Sequence, residues 1–112
     1  IFIATELGVA DLIAYPNPTM LSEKGEVNFR YKLSRDASVI MRIYDVRGGL
    51  VYSEEFAPGE NGGRRGPNNN VTWDGTNRYL TPVAAGIYIC HIVATNDNGE
   101  TRSAFKKLAV LH

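Results

Sequence analysis

The sequence has only one cysteine, Cys90, among its 112 residues, and a lone cysteine cannot form a disulfide within the chain. This fits a cytosolic protein, and it fits equally a secreted bacterial domain whose core needs no covalent links. The chain also lacks net charge, because 12 basic residues balance 12 acidic ones. Without excess positive charge it has no electrostatic attraction for nucleic acid, so we expect no nucleic-acid partner.

Long apolar segments are missing as well. No run of about 18 apolar residues occurs, so we expect no membrane insertion. The sequence begins at Ile1 and does not show the basic segment followed by an apolar one that a signal peptide has. We therefore expect a piece of a longer chain, with an upstream domain ahead of it.

Residues suited to catalysis or metal binding are few. Cys90 and His91 are neighbours in an extended segment, and neighbours in a strand point to opposite faces, so they cannot meet as a catalytic pair. One cysteine and two histidines, His91 and the terminal His112, cannot build a closed zinc site. The stretch GENGGRRG lacks the lysine and hydroxyl residue that end a phosphate-binding loop. We expect no catalytic residue, no metal and no cofactor.

Two ligand classes stay open. Asp74, Asn77 and residues 96–98 offer the loop oxygens that calcium prefers, although such residues also bond to their own backbone in turns. Exposed tyrosines would suit sugar stacking if they formed one platform. The tyrosines considered for it are Tyr15, Tyr44, Tyr52, Tyr79 and Tyr88.

The dominant pattern is an alternation of apolar and polar residues, which is typical of a strand with one buried face. It is clearest in VNFRYKL, residues 27–33. Such segments recur about seven times at a spacing of roughly ten residues, separated by turn-forming residues. The sequence therefore predicts an all-β fold, an antiparallel immunoglobulin- or fibronectin-III-like β-sandwich of about seven strands.

Proline, glycine and asparagine predict the irregular connections. Pro16-Asn17-Pro18 would stiffen the chain where the first strand crosses from one sheet to the other, or ends at an edge. Residues 57–70, APGENGGRRGPNNN, have no apolar anchor, so we expect a long, mobile loop. Asn98-Gly99 predicts a tight primed turn before the last strand.

Several turn and core residues have a structural interpretation. Asp45 would end a strand, and Gly48 would be free to take a positive φ in the turn that follows. Trp73 would fill space between two sheets, since an indole buries a large apolar area. Asp74 would accept hydrogen bonds from nearby backbone amides, and Gly75 would permit the bend.

The segment AAGIY begins the most strand-like run of the chain. Gly86 would allow a close approach where this strand starts. Tyr88 would lie on the core-facing side with Cys90 and send its hydroxyl to a backbone partner, as in a tyrosine corner.

Taken in order, several of these segments resemble a known set of motifs. They are similar to those of the immunoglobulin-like domain of flagellar hook-capping proteins and, especially, of the type A C-terminal sorting domain of type IX secretion substrates. The resemblance covers residues 12–112 as one domain and leaves residues 1–11 as a linker or lead-in from an upstream domain. The segments that carry it are YPNP, VNFRYKL, VIMRIYDVRGGLVY, VTWDG, AAGIYICHI and FKKLAVL.

The resemblance implies a non-catalytic C-terminal module of a larger exported bacterial protein, which acts in sorting or cell-surface attachment after periplasmic transit. Its implied partners are proteins of the secretion or attachment machinery. Two alternatives stay open: a structural spacer or hook-cap-like assembly module, and an accessory carbohydrate-binding module of a secreted hydrolase. The implied sorting residues are Pro16, Asn17 and Pro18 in a PxP segment, Gly86 and Tyr88 in a GxY segment, and Lys106 and Lys107 in the last strand.

Overall fold

The regular secondary structure of the described residues consists of β-strands. A computed structural model of the protein describes residues 6–20 and 25–112, and no helix in these residues is long and apolar enough to span a membrane. Seven strands have seven to eleven residues each and an eighth has two, which confirms the predicted all-β class. The strands are β1 (Val9–Tyr15), β2 (Thr19–Met20), β3 (Val27–Leu33), β4 (Ser38–Asp45), β5 (Leu50–Phe56), β6 (Gly66–Trp73), β7 (Gly86–Thr95) and β8 (Thr101–Leu111).

The strands form two sheets. One sheet has the order β1-β3-β6, and the other has the order β2-β8-β7-β4-β5. Neighbouring strands are antiparallel except for β2 and β8, which are parallel. The chain passes from one sheet to the other between β3 and β4 and again between β5 and β6. Such connections between two sheets are typical of a sandwich. The predicted immunoglobulin-like β-sandwich is therefore confirmed.

One hydrophobic core lies between the sheets. Alternate residues of β3, β4 and β7 enter it, because side chains alternate between the two faces of a strand. Trp73 of β6 is 1% exposed, and its ring meets that of Tyr88 on β7 edge-on, with 5.7 Å between centroids. The indole thus fills space between the two sheets.

The proline segment lies where the chain changes sheets. β1 belongs to the three-stranded sheet and β2 to the five-stranded sheet, so the predicted crossing at Pro16-Asn17-Pro18 is confirmed. The Tyr15–Pro16 and Asn17–Pro18 peptide bonds are both cis. Since proline has no backbone donor, its position between two strands removes no hydrogen bond from either ladder.

The loop predicted over residues 57–70 is wrong in its second part, because residues 66–70 belong to β6. Asn69 is fully buried, at 0% exposure. Its Oδ1 accepts hydrogen bonds from the N–H groups of Gly62 at 2.9 Å and Arg64 at 3.2 Å, and its Nδ2 donates to the Arg64 carbonyl at 2.7 Å. A polar side chain therefore anchors this segment, which a search for apolar anchors does not detect.

The last hairpin forms as predicted, but its turn is longer than predicted. β7 ends at Thr95, which pairs with Thr101, so residues 96–100 make the connection. The side chain of Asn96 accepts hydrogen bonds from the N–H groups of Asn98 at 3.1 Å and Glu100 at 3.0 Å. The asparagine that opens the turn sets its length, and the prediction of a two-residue turn at Asn98-Gly99 is wrong.

The packed region begins ahead of residue 12. Leu7 is 2% exposed in the core, and the Gly8 N–H donates to the Ser34 hydroxyl at 2.7 Å. β1 itself begins at Val9. Residues 6–11 of the predicted lead-in therefore pack with the sandwich, and residues 1–5 lie outside the described residues.

Candidate functional site

The last strand, β8, contacts all of the regions that the resemblance marks for sorting. On one side it pairs with β7 over ten positions, from Thr95 with Thr101 to Gly86 with Val110. On the other side it pairs with β2 only at Val110 and Leu111. The candidate site is therefore the C-terminal part of β8 together with the two segments that flank it.

Asn17 attaches the proline segment to β8. Its Nδ2 donates to the carbonyl of Lys107 at 3.2 Å, and its Oδ1 accepts from the N–H of Ala109 at 3.0 Å. The side-chain amide thereby takes the place of a peptide group in a neighbouring strand. Just beyond it, Thr19 is 1% exposed and donates its hydroxyl to the Pro16 carbonyl. These bonds fix the proline segment against the last strand.

Gly86 and Tyr88 approach β8 from the opposite side. β7 begins at Gly86, and Tyr88 pairs with Leu108. The Tyr88 hydroxyl donates to the carbonyl of Ala84 at 2.8 Å; burial, and then the nearby charge of Asp45, raise its pKa. A Cβ on Gly86 would meet no atom within 4 Å. The predicted close approach at Gly86 is therefore wrong, because the strand starts at the open surface.

Lys106 and Lys107 are both exposed and point to opposite faces of the sheet. Lys106 lies opposite the core-facing Cys90, and Lys107 lies opposite Ile89 on the outer face. In the described part of the chain, neither ammonium group has a carboxylate within ion-pairing distance. Their charges therefore face solvent beside the segment that Asn17 contacts.

Asp45 and Gly48 shape the turn between β4 and β5. β4 ends at Asp45, whose Oδ1 accepts hydrogen bonds from the N–H groups of Arg47 at 3.0 Å and Gly49 at 2.9 Å. Gly48 takes φ 84°, a conformation that costs glycine little. This turn lies at the same end of the sandwich as Tyr88, since Tyr88 pairs with Asp45.

Trp73, Asp74 and Gly75 form the exit from β6. The Trp73 Nε1 donates to the carbonyl of Thr76 at 2.7 Å, and Asp74 Oδ1 accepts from the Thr76 N–H at 3.1 Å. Gly75 between them takes φ 79°. The bend therefore pairs the buried indole N–H, which would otherwise lack a partner.

The loops considered for calcium direct their oxygens to their own backbone. Besides Asp74, the Asn77 Oδ1 accepts from the N–H groups of Tyr79 at 2.9 Å and Thr81 at 3.1 Å, and Asn96 acts in the same way in the last hairpin. Among residues 6–20 and 25–112, no group of three or more His, Cys, Asp or Glu side chains is placed to hold a metal ion. Turn formation accounts for Asp74, Asn77 and Asn96.

Cys90 and His91 lie on opposite faces of β7. Cys90 is 0% exposed, and burial raises the pKa of its thiol, so the group stays protonated. His91 is half-buried on the outer face, with its ring 6.5 Å from that of Tyr44. Burial, and then the charge of Arg42, lower the His91 pKa. The two side chains form no thiol–imidazole pair.

The tyrosines considered for sugar stacking differ in exposure. Tyr88 is in the core, and Tyr52 packs against it. Tyr15 lies beneath the guanidinium of Arg30, at 5.4 Å from the ring centroid. Tyr79 is 75% exposed in a loop beside β5, where the Arg78 N–H donates to the Val51 carbonyl at 3.1 Å, and it borders the same surface pocket as Tyr88. Burial of Tyr88 leaves fewer rings for a sugar-stacking platform, and a platform of the exposed tyrosines stays a hypothesis.

Two features of the site were not predicted from the sequence. One is the contact of Asn17 with the backbone of β8; a polar residue held between two prolines is the available signal for it. The other is Phe105, which is 74% exposed. Counting alternate residues back from the buried Val110 and Leu108 separates the two faces of the strand and places Phe105 on the outer one.

No protein-family model and no curated protein sequence matches the chain. Solved structures do match. PorU from Porphyromonas gingivalis, in its dimeric latent form, aligns with TM-score 0.71 and 25% identity over 96% of this chain and 10% of PorU. PorZ, an essential surface component of the type IX secretion system of the same bacterium, aligns with TM-score 0.56 and 19% identity over 90% of this chain and 11% of PorZ.

A hook-capping protein is also similar. FlgD from Xanthomonas campestris aligns with TM-score 0.51 and 25% identity over 77% of this chain and 56% of FlgD. The chain thus spans about a tenth of PorU and PorZ and just over half of this FlgD. These similarities confirm the resemblance to the immunoglobulin-like fold of secretion-system and hook-capping proteins.

Proposed function

We propose that this chain is a non-catalytic module by which a larger exported bacterial protein is sorted for type IX secretion and attached to the cell surface. The observation that carries the proposal is the meeting of the proline segment, the start of β7 and the two lysines at one strand. Asn17 joins the proline segment to the strand that carries the lysines, through hydrogen bonds of 3.2 Å to the Lys107 carbonyl and 3.0 Å from the Ala109 N–H. The similarity to PorZ, a surface component of that secretion system, supports the same function.

Recognition in this proposal is a contact between folded surfaces, with no chemistry in the domain. The proline segment and β7 hold the end of β8 in one conformation, so a machinery protein meets a preformed surface and little conformational entropy is lost on binding. Lys106 and Lys107 supply exposed positive charge beside it. The upstream domain is the cargo, and the module reaches the secreted or cell-surface location after periplasmic transit.

A secretion assay tests this function. The 112-residue chain is fused behind a periplasmic fluorescent protein in a bacterium that has a type IX system. Deleting β8 is unsuitable as a test, because Leu108 and Val110 belong to the core and their loss would unfold the domain. The informative variant replaces Lys106 and Lys107 by Gln. Its matched control replaces Lys32 and Arg47 by Gln, two exposed cations outside β8.

We expect the wild-type fusion and the control to reach the cell surface or the medium. The Lys106→Gln, Lys107→Gln fusion should accumulate in the periplasm while keeping the urea midpoint of the wild type. Retention of the folded wild-type fusion in the periplasm would overturn the sorting function. Similarity to FlgD favours a structural spacer or assembly module in that case.

A further inference from the structure

Among the described residues, one edge of β8 has no paired strand over more than half of its length, although β1 of the other sheet lies near β8. Alternate residues of a strand direct their backbone groups to opposite edges. Since Lys107 and Ala109 bond to Asn17 at the edge away from β7, the backbone groups of Ser103 and Phe105 face this same edge. No strand pairs with them in the described part of the chain.

The open edge has the form of a binding surface. β8 pairs with β7 without a register shift from Thr101 to Val110, and it contains no proline, so neither a bulge nor a missing donor interrupts the edge. The Phe105 ring, 74% exposed, stands beside it. At the N-terminal end of β8, the Arg102 guanidinium donates a hydrogen bond of 2.9 Å to the Thr101 carbonyl. The unpaired stretch therefore begins after this carbonyl.

The charge of the edge selects its partner. Arg102, Lys106 and Lys107 lie within residues 101–111, which contain no Asp or Glu. One of the three cations, Arg102, lies near a carboxylate, that of Glu100 at 3.9 Å, and this is a solvent-exposed pair of small energy. A second copy of the chain, pairing edge to edge, would bring like charges together, and such contacts are unfavourable. An acidic segment would meet opposite charge instead.

We propose that the open edge of β8, between Thr101 and Lys107, binds an extended acidic segment of a partner protein as an added β-strand. The backbone of Ser103 and Phe105 supplies the ladder hydrogen bonds, Lys106 and Lys107 contact carboxylates on the two faces of the added strand, and Phe105 packs on its outer face. The chain already uses this edge in the same way, since β2 and the Asn17 amide occupy its C-terminal end. This proposal deepens the proposed function, on which it rests for the existence of a partner.

The test is a titration of the isotope-labelled 112-residue chain, followed by NMR, with a blocked octapeptide in which glutamate alternates with threonine. We expect the amide signals of Ser103, Phe105 and Lys107 to shift. We also expect the Ser103 and Phe105 amides to become protected from solvent exchange, because strand addition buries their N–H groups. Charge attraction without strand pairing would shift signals but would not protect these amides.

Two controls make the result specific. A peptide methylated on alternate backbone nitrogens keeps its charge but loses its ladder donors, and it should not bind. Replacing Lys106 and Lys107 by Glu should weaken binding about tenfold or more, whereas the same reversal at Lys32 and Arg47 changes net charge equally and should have little effect.

Equal binding of the methylated peptide, equal binding by the Lys106→Glu, Lys107→Glu variant, or absence of binding would overturn the proposal. Shifts at Ser103 and Phe105 that grow with protein concentration in the absence of peptide would also overturn it, in favour of pairing between two copies. The secretion assay is independent of this titration. Export of the fusion without peptide binding would contradict the acidic strand alone, and peptide binding without export would contradict the sorting function alone.

Discussion

Asn69 illustrates how a single polar side chain determines local structure. It is 0% exposed, yet each of its hydrogen-bonding atoms has a backbone partner in residues 62–64. The composition of residues 57–70 predicts a loop at this position, because asparagine favours turns. That preference does not indicate whether an asparagine bonds to its own turn or, as here, to a neighbouring segment across seven residues.

We expect Asn69→Ala to lower the free energy of unfolding by about 2 kcal/mol or more, because it leaves buried N–H and carbonyl groups without partners. Urea denaturation measures the change. The matched control is Asn68→Ala, at the exposed neighbouring position, for which we expect a change within about 0.5 kcal/mol. Similar losses for the two variants would show that the Asn69 hydrogen bonds contribute little.

His91 makes stability depend on pH. Burial and the charge of Arg42 lower its pKa in the folded state below the ordinary value of 6.5. The unfolded state therefore binds more protons as the pH falls through this range, and stability decreases. We expect acidification from about pH 7.5 to about pH 5.5 to destabilise the wild type more than His91→Gln. Urea midpoints at the two pH values measure the loss of stability. If the wild type and His91→Gln lose the same amount, groups other than His91 cause the pH dependence.

At the scale of elements, three turns share one hydrogen-bonding pattern, at residues 45–49, 77–81 and 96–100. In each, an Asp or Asn donates its N–H to the carbonyl four residues later and accepts from the N–H three residues later. The fourth residue takes a positive φ, which is 84° in Gly48, 77° in Gly99 and 64° in Leu80. Of these three turns, only that of residues 77–81 places a side chain, that of Leu80, in this left-handed conformation.

We expect Leu80→Gly to raise the free energy of unfolding by about 0.5–1 kcal/mol. Removal of the Cβ relieves the left-handed conformation, and the greater freedom of glycine in the unfolded chain offsets part of the gain. Little packing is lost, because Leu80 is 77% exposed. The converse change, Gly48→Leu, should destabilise the protein. A lower urea midpoint for Leu80→Gly would show instead that the leucine side chain stabilises its loop.

The strands of the core were predictable, whereas the exact turns were not. VNFRYKL alternates strictly, and β3 covers the same seven residues, because a buried face repeats every second residue. β6 was missed at Gly66–Asn70 because its first residues, GPNNN, resemble a loop in composition. Turn lengths depend on side-chain hydrogen bonds such as those of Asn96, which residue preferences do not specify.

At the scale of the whole molecule, the sequence predicted the sandwich and the change of sheet at the proline segment. It did not predict that this segment bonds to β8, because the contact joins Asn17 to Ala109, 92 residues away. Alternation and turn preferences describe residues that are near neighbours along the chain. A contact between distant residues, such as that of Asn17 with Ala109, depends instead on how the two sheets are arranged. The candidate site was therefore foreseen as separate motifs but not as one surface.

The two sheets share one core, so they should unfold together. Trp73 lies in the three-stranded sheet and Cys90 in the five-stranded sheet, and both are buried at 1% and 0% exposure. We expect tryptophan fluorescence and labelling of the thiol by an aromatic disulfide reagent to give the same urea midpoint, because a small domain with one core unfolds cooperatively. Without urea the thiol should react slowly, since burial raises its pKa. Labelling of Cys90 at a lower urea concentration than the fluorescence change would mean that the five-stranded sheet opens before the three-stranded sheet does.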